Sequence, residues 1–273
     1  MQSNPTGTHH PPKILTIAGS DSGGGAGIQA DLKTITVLGG YGMSAITALT
    51  AQNTDEVLGI HASPPDFVRL QIDAVADDIG IDSAKTGMLH NAPIIVAVAE
   101  AISYHNIPNL VVDPVMIAKG GARLLEKEAE QMLCERLLPC ATILTPNLPE
   151  AASICNHPVQ TLQEMRDAAR EIHYMGPTTV LIKGGHLEGD PVDLFYDGSS
   201  FHELEFRRIN TTNTHGTGCT YSAAIATYLG RGMDVIDAVH SARSAIQTGI
   251  ENALSLGKGH GPLDHLAMFW KES

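Results

Sequence analysis

Several features are scarce in this sequence. It has 4 cysteines, with no C-x-x-C pair among them, and aromatic residues make up only 4% of the chain. So few and so irregularly spaced cysteines exclude a disulfide framework or a zinc site. They are Cys134, Cys140, Cys155 and Cys219. With few aromatics, the core must be filled by Ala, Ile, Leu, Val and Met, which favours helices packed tightly on a parallel sheet.

Basic residues are scarce as well. The chain of 273 residues has 17 Lys and Arg against 30 Asp and Glu, which gives a net charge of −13. Nucleic acids and anionic membranes are bound through clustered Lys and Arg, so the composition argues against both partners. No apolar run reaches the roughly 18 residues that a membrane helix needs, and the N-terminus does not resemble a signal peptide. We therefore expect a soluble, cytoplasmic protein.

The sequence does contain a regular alternation of short Ile- and Val-rich runs with helix-like segments. This alternation is typical of βαβ units on a parallel sheet and predicts the α/β class. Residues 1–12 are polar and contain proline, so we expect a flexible lead followed by one domain over residues 13–273. The predicted buried strands span residues 13–18, 43–50, 81–86, 110–112, 142–144 and 179–182.

Two helix starts carry clear signals. Ser63, followed by Pro64 and Asp66, predicts an N-cap, a proline at the first helical position and a capping acid for a helix to about residue 79. Asn91 predicts the cap of a helix over residues 93–105. The other predicted elements are a hairpin of residues 192–196 and 201–206 around Asp197-Gly198, and long helices over about 218–229 and 235–256.

A glycine-rich stretch, GSDSGGGAG, follows the first strand at residues 19–27 and opens a helix. Its end fits the relaxed dinucleotide fingerprint G-x-G-x-x-A, but the second strand ends in TAQN at residues 50–53, without the acid that NAD binding requires. An NAD-dependent or non-catalytic nucleotide-binding protein is therefore an outside alternative. So many glycines bring backbone close to a ligand or another segment. Asp31 either accepts hydrogen bonds from a ligand or is a solvated helix acid.

No Walker A motif is present, so a bound nucleotide needs another phosphate cradle. Gly216, Thr217 and Gly218 form a turn at the start of a small-residue helix, where backbone N–H groups and the helix dipole favour an anion. Cys219 lies on the first turn of that helix, where the dipole favours a thiolate. Most cysteines in Ala-rich helices are buried packing residues. The surrounding glycines favour a functional thiol here, and we interpret the other three cysteines as packing residues.

Charged and polar residues follow three predicted strands, at the sheet edge where parallel sheets bind ligands. Asp113 follows one strand, Asn147 and Glu150 follow the next, and Lys183 ends a third. Carboxylates around phosphates are what magnesium coordination uses, and lysine offers a point cation to phosphate oxygens. Any one of these residues could be a helix cap or a surface charge. Four of them at successive strand ends predict a phosphate and metal site.

Seven motifs, taken together, resemble those of one family. They are TIAGSDSGGGAGIQADLKT, ALTAQNT, KTGML, VVDPVMIAKGG, LTPNLPEA, VLIKGGH and NTHGTGCTYSAAI. The chain resembles the ribokinase superfamily of small-molecule kinases over about residues 14–262, and within it the bacterial hydroxymethylpyrimidine and phosphomethylpyrimidine kinases of thiamine biosynthesis. The resemblance implies a single three-layer α/β/α domain with a mostly parallel central sheet, the use of ATP and Mg²⁺, and a homodimer.

The resemblance also implies roles for individual residues. Gln52 would pair with the aminopyrimidine, and Cys219, in the catalytic turn with Gly216, Thr217 and Gly218, would face the reacting hydroxymethyl group. Gly19, Asp31 and Met88 would line the pyrimidine pocket. Lys183 and Asn147 would bind the nucleotide, and Glu150 and Asp113 would bind the metal.

The reaction implied is ATP-dependent phosphorylation of 4-amino-5-hydroxymethyl-2-methylpyrimidine and then of its monophosphate. A branch of the family that phosphorylates pyridoxal carries a second cysteine shortly after DPVM, and this chain has Ala118 in that region. A pyridoxal or pyridoxine kinase is therefore the second alternative. Many relatives have aspartate where Cys219 lies, and the cysteine agrees with the pyrimidine kinases.

Overall fold

The structure, a computed structural model, describes residues 10–118, 121–185 and 190–272. Most of the predicted lead and His186 of the VLIKGGH motif lie outside the described residues, and the lead stays a prediction. The first strand begins at Lys13. The strands are β1 (Lys13–Asp21), β2 (Tyr41–Gln52), β3 (Val57–Ala62), β4 (Ser83–Thr86), β5 (Leu110–Val112), β6 (Ile143–Leu144), β7 (Thr179–Ile182), β8 (Val192–Tyr196) and β9 (Phe201–Glu205).

Within the described residues these strands form one nine-stranded sheet, ordered β3-β2-β1-β4-β5-β6-β7-β8-β9. The six strands from β2 to β7 in this order are parallel. β3 pairs antiparallel with β2 at one edge, and β8 and β9 form an antiparallel hairpin at the other. The predicted α/β class and the predicted hairpin are confirmed.

Helices cover both faces of the sheet. They are α1 (Gly27–Val37), α2 (Pro65–Asp78), α3 (Ala92–Tyr104), α4 (Lys127–Met132), α5 (Leu148–Cys155), α6 (Leu162–Tyr174), α7 (Thr217–Gly230), α8 (Val235–Glu251) and α9 (His265–Glu272). One buried cluster joins the sheet to α2 through α6, and another joins it to α1, α7, α8 and α9. The fold is therefore the predicted three-layer α/β/α arrangement. None of the helices described is long and apolar enough to span a membrane.

The alternation of side chains along β1 explains why two cores are needed. Ile14 belongs to the cluster under α7 and α8, whereas Leu15 and Ile17 belong to the cluster under α2 and α3. Successive side chains of a strand point to opposite faces, so a strand that is apolar throughout must be covered on both. A continuous apolar run therefore selects a sheet sandwiched between helices.

Two predicted helix limits are wrong. α2 begins at Pro65, with Pro64 rather than Ser63 at the N-cap position and no capping side-chain hydrogen bond within the described residues. A residue before proline avoids the helical region, so Pro64 stays extended, with φ −58° and ψ 137°. The last long helix, α8, ends at Glu251 instead of residue 256, and the amide of Leu254 bonds the carbonyl of Pro262. The Asn91 cap is confirmed, because its side chain accepts from the amide of Ile94.

Candidate active site

The carboxyl ends of the parallel strands border a cavity of about 890 Å³. Every predicted site residue except Asp31 lines it. The topology explains why these residues lie together, because parallel strands all end at the same edge of the sheet. The same cavity is also lined by apolar side chains of Ile209, Ile246 and Ile250, the last two on α8.

Asp21, at the end of β1, organises the glycine-rich loop. Its Oδ1 accepts from the amide of Gly23 (2.7 Å), and its Oδ2 accepts from the amides of Gly25 (3.1 Å) and Ala26 (2.8 Å). Gly27 has φ +56°, and a Cβ there would lie 2.4 Å from the carbonyl oxygen of Gly19. The glycines let the chain fold back on β1, and Asp21 holds it there.

The predicted anion loop lies at the N-terminus of α7. Gly216 occupies the N-cap position with φ +78°, and a Cβ there would lie 1.8 Å from the carbonyl oxygen of Gly25. The two glycine loops are therefore in direct contact. The first-turn amides of Gly218 and Cys219 have no acceptor inside the helix, and no side chain in the described part of the protein caps this end. These donors suit an anion at the positive end of the helix.

Lys183 and Asp113 form an ion pair beside this loop. The Lys183 Nζ lies 2.8 Å from Oδ1 of Asp113, and Ser222 donates to Oδ2 at 3.3 Å. A Cβ on Gly218 would lie 3.4 Å from the same Nζ. Burial alone would raise the pKa of Asp113, but Lys183 and Lys85 lower it below its usual value. The cavity wall therefore holds a charged carboxylate and an ammonium next to the anion loop.

Asn147 and Glu150 form a capping box at the start of α5. The Asn147 side chain accepts from the amide of Glu150 (2.9 Å), and Glu150 accepts in return from the amide of Asn147 (2.8 Å). Both residues border the cavity. Burial and repulsion from Asp113, partly offset by attraction to Lys183, raise the pKa of Glu150 to about 7. Asn147 and Glu150 therefore cap α5 and border the cavity at the same time.

The phosphomethylpyrimidine kinase family model matches residues 21–264 of this chain. The hydroxymethylpyrimidine/phosphomethylpyrimidine kinase of Bacillus subtilis is 48% identical over 257 residues, covering 93% of this chain and 95% of that protein. The chain belongs to the phosphomethylpyrimidine kinase family.

Two further comparisons refine this membership. The thiamine biosynthesis bifunctional protein of Geobacter sulfurreducens is 53% identical over 254 residues, covering 93% of this chain, and the chain spans about half (52%) of that protein's length. The crystal structure of an ADP complex of Bacillus subtilis pyridoxal kinase matches with a TM-score of 0.88 and 41% identity, covering 94% of this chain and 98% of that one. The ribokinase-like fold therefore extends across pyrimidine and pyridoxal kinases.

The structure corrects the expectation for Asp31 in this family member. Its side chain is fully buried and does not line the cavity. Both carboxylate oxygens accept from the Nζ of Lys85, at 2.9 and 2.8 Å, and Oδ2 also accepts from the hydroxyl of Thr16 at 2.6 Å. With these partners, Asp31 is not a solvated helix acid, and it lies behind the cavity wall instead of bordering the cavity. It is the counter-ion of a buried lysine.

Lys85 is a site residue that we did not predict. Its side chain is only 1% exposed, yet it borders the cavity on the strand β4. Burial alone would lower its pKa, but the charges of Asp31 and of neighbouring acidic groups raise it, so it stays protonated. The sequence signal that could have identified Lys85 is its charge within the short buried strand SAKT. A buried charge requires a partner, so such a lysine predicts an acidic residue beside it.

The thiolate expectation for Cys219 is wrong. Burial raises the pKa of its thiol to about 11, against the attraction of Lys85 and with added repulsion from Asp31 and Asp113. The N-terminus of α7 lowers the pKa of a thiol only where burial does not outweigh it. Cys219 therefore faces the cavity as a neutral thiol near pH 7.

A second buried network supports the segment after β7. Asp193 accepts from the amide of Gly184 at 2.9 Å, and the Nε of Arg243 lies 3.3 Å from its other oxygen. The guanidinium carbon of Arg243 lies 3.9 Å from the ring centroid of Phe206. Sequence patterns gave no sign of this network, because its members are far apart in the chain. It fixes the backbone that follows Lys183.

Proposed function

We propose that the protein uses ATP to phosphorylate 4-amino-5-hydroxymethyl-2-methylpyrimidine and then its monophosphate, in thiamine biosynthesis. One observation carries the proposal: a side chain suited to reading a ring edge lies next to a loop suited to holding phosphates. The terminal amide of Gln52 lies 3.5 Å from Nε2 of His215, and His215 directly precedes the anion loop at Gly216. The side chain proposed to read the ring and the loop proposed to hold phosphates are therefore linked through one residue, His215.

The ring end of the cavity combines a carboxamide with a narrow apolar slot. A carboxamide offers one acceptor and two donors, which matches a ring nitrogen beside an amino group. Gly19 and Met88 border the cavity here, and a Cβ at Gly19 would lie 3.0 Å from Sδ of Met88. The absence of a side chain at position 19 leaves room for a flat ring.

The phosphate end supports transfer by position and charge. The substrate hydroxyl attacks the γ-phosphorus of ATP and a new O–P bond forms. The bond between the γ-phosphorus and the bridging oxygen breaks, ADP leaves, and the hydroxyl proton passes to solvent water. Lys183 and the amides of Gly218 and Cys219 stabilise charge on the transferred group. A neutral Cys219 thiol does not repel an incoming monophosphate, as a carboxylate at that position would. The same site can then accept the alcohol and its phosphate.

The donors in the cavity wall fit a magnesium ion. Asp113 and Glu150 would supply hard oxygen ligands. Burial raises the pKa of Glu150, and repulsion from Asp113, which a divalent cation would relieve, adds to it. We assign these two residues as the side chains that would hold Mg²⁺. When bound, the ion neutralises charge on the phosphates during transfer.

The test is direct. Purified protein is incubated with ATP, Mg²⁺ and the aminopyrimidine alcohol, and the products are followed by mass spectrometry. We expect the monophosphate first and the diphosphate later, with neither formed in excess EDTA. Consumption of ATP without phosphorylated pyrimidine would refute the substrate assignment, and products formed in EDTA would refute the role of magnesium.

Pyridoxal is the second candidate substrate. It is supported by the match to the Bacillus subtilis pyridoxal kinase, whose crystal structure is an ADP complex. The residue that argues against it is Ala118, which lines the cavity where the pyridoxal branch carries a second cysteine. We therefore expect pyridoxal to be phosphorylated less efficiently than the aminopyrimidine in parallel assays.

We propose that the protein forms a homodimer. We also propose that it acts in the cytoplasm, where ATP is available. Exposed apolar side chains around the β3 edge of the sheet support a dimer: Leu49 and Leu58 on the strands, and Phe67 and Leu70 on α2. Large apolar side chains grouped on a surface are typical of interfaces. Light scattering of the protein and of Leu58→Asp tests this assembly, which we expect the substitution to weaken.

A further inference from the structure

Three polar side chains meet where the two glycine loops touch. Nε2 of His215 lies 3.0 Å from Oδ2 of Asp21 and 3.5 Å from the terminal amide of Gln52. All three line the cavity, and the side chains of Asp21 and His215 are only 3% and 11% exposed. The proton positions in this group decide how Gln52 faces a substrate.

The His215 proton follows from the partners of Asp21. Oδ2 of Asp21 already accepts from the amides of Gly25 and Ala26, so it presents a lone pair, not a proton, to His215. Hydrogen bonds from His215 and from the loop amides outweigh burial and hold the pKa of Asp21 below its usual value. His215 must therefore carry a proton on Nε2 and donate it to Asp21.

The direction of the Gln52 amide follows in turn. An amide nitrogen facing a protonated Nε2 would set two donors against each other. On the other side of the amide, Thr50 Oγ1 lies 3.2 Å away and uses its single proton toward the carbonyl of Ser20 at 2.9 Å. Thr50 therefore offers an acceptor. Both conflicts vanish when the Gln52 carbonyl faces His215 and its NH₂ faces Thr50, an assignment that rests on hydrogen-bond partners. The carbonyl, at 3.5 Å, is then the second and weaker acceptor of the Nε2 proton that Asp21 accepts at 3.0 Å.

We propose that Asp21 and His215 are positioning residues that set the direction of the Gln52 amide, and thereby the direction in which the substrate's hydroxymethyl group points. The inference rests on the proposed function. In the aminopyrimidine, the acceptor nitrogen, the carbon bearing NH₂ and the carbon bearing CH₂OH follow one another around the ring. An amide with its carbonyl toward His215 draws the NH₂ to that side. The CH₂OH then lies farther along the same direction, toward the loop that begins at Gly216.

A reversed amide has the opposite consequence. It would pair with the same ring edge only if the ring turned over, and the CH₂OH would then point toward Thr50, away from the anion loop. A substrate with the opposite edge pattern would suit the reversed amide. The 4-oxo analogue, with a ring N–H donor beside a carbonyl acceptor, has this pattern and serves as the probe.

The experiment compares His215→Leu with His215→Gln, whose amide N–H can replace the Nε2 donor. For each variant, kcat/KM is measured on the 4-amino substrate and on its 4-oxo analogue. In His215→Leu we expect the preference for the 4-amino substrate to fall about tenfold or more, mainly through kcat, with KM for ATP unchanged. We expect His215→Gln to retain most of the preference.

The outcomes separate this inference from the proposed function. If wild type phosphorylates neither compound, the proposed function fails. If wild type acts on the 4-amino substrate and His215→Leu keeps the same preference while losing activity on both compounds equally, His215 is only structural and the inference is overturned. If His215→Leu does not fold, ¹H–¹⁵N spectra of wild type with labelled histidine test the inference instead. The His215 signal is identified as the one that is missing in His215→Gln. We expect Nε2 to be protonated, and an unprotonated Nε2 would overturn the inference.

Discussion

Two buried lysine–aspartate pairs lie at the same edge of the sheet, but they differ in exposure and in how many carboxylate oxygens the lysine binds. In the inner pair, the Lys85 Nζ binds both oxygens of Asp31, and the lysine side chain is 1% exposed. In the outer pair, the Lys183 Nζ binds one oxygen of Asp113, and the lysine side chain is 14% exposed. An ammonium has three donors, so Lys183 keeps donors that can turn to a ligand.

This difference indicates separate roles for pairs that look alike in composition. The inner pair is satisfied within the protein, because Asp31 also accepts from Thr16 and is sealed from the cavity. The outer pair lies beside the amides of α7 and the acid Glu150, where phosphates would bind. We infer that the inner pair holds the site's shape and that the outer pair takes part in the transfer.

The largest effect should come from breaking the inner pair. Lys85→Met leaves the Asp31 carboxylate buried without its cation, and loss of one partner of a buried pair costs about 3–5 kcal/mol. We expect that loss in the free energy of unfolding, measured by urea denaturation. The matched control is Lys85→Met with Asp31→Leu, which removes both charges and should recover most of the stability. An unchanged stability in the single variant would contradict a structural role for the pair.

Breaking the outer pair should affect the rate more than the fold. Lys183→Met removes a cation that stabilises charge on the transferred phosphoryl group, and loss of one such donor typically lowers kcat roughly 10²–10³-fold. We expect a smaller loss of unfolding free energy than in Lys85→Met, because the Lys183 side chain is 14% exposed and that of Lys85 only 1%. If Lys183→Met retained wild-type kcat with the pyrimidine, the contrast between the two pairs would be refuted.

Burial is the main cause of the raised pKa of Cys219, and charges of both pairs also act on it. With a pKa of about 11 rather than 9.0, the thiolate fraction at pH 8 should be about 100-fold lower than for an ordinary cysteine. Because the pKa is raised, alkylation of Cys219 should still rise with pH up to 9.5 without a plateau. Iodoacetamide labelling, followed by mass spectrometry of the Cys219 peptide, measures this, with urea-unfolded protein as control. A plateau below pH 9 in the folded protein would show a thiolate.

The ring end, which relies on a neutral amide instead of an ion pair, should show the smallest effect. Gln52→Leu leaves the polar edge of the bound ring without partners, which costs about 1–3 kcal/mol, or roughly tenfold or more in affinity. We expect this loss in pyrimidine binding by calorimetry, with ADP binding unchanged. Gln52→Glu serves as a control of similar size. If Gln52→Leu bound the pyrimidine with wild-type affinity, Gln52 would have no role in recognising the ring.

Sequence patterns predicted the elements that are governed by burial and local chemistry. The apolar runs of β1 and β7 and the Asn91 cap depend on residue type and spacing alone. β3 escaped prediction because it is an edge strand with an exposed Leu58 and an interior Gly59, so it lacks a buried pattern. The helix after Ser63 shifted by one residue because two prolines compete for its first position.

In the site, the sequence indicated which residues meet but not which of them face the cavity. The distance of Asp31 to the glycine loop predicts a place in the pocket, yet Asp31 is buried in a pair with Lys85, 54 positions away, and does not border the cavity. For Cys219, the helix dipole is visible in the sequence, whereas the burial that opposes it depends on the folded structure. Long-range pairing and desolvation are therefore the parts that the sequence could not supply.

The most direct test of the account is whether one cavity serves both phosphorylations. Phosphorylation of the monophosphate is measured at several concentrations of the alcohol, with MgATP saturating and early time points only. One shared site predicts that the alcohol inhibits competitively, with an inhibition constant equal to its own KM as a substrate. Noncompetitive inhibition, or no inhibition at alcohol concentrations well above that KM, would contradict the account.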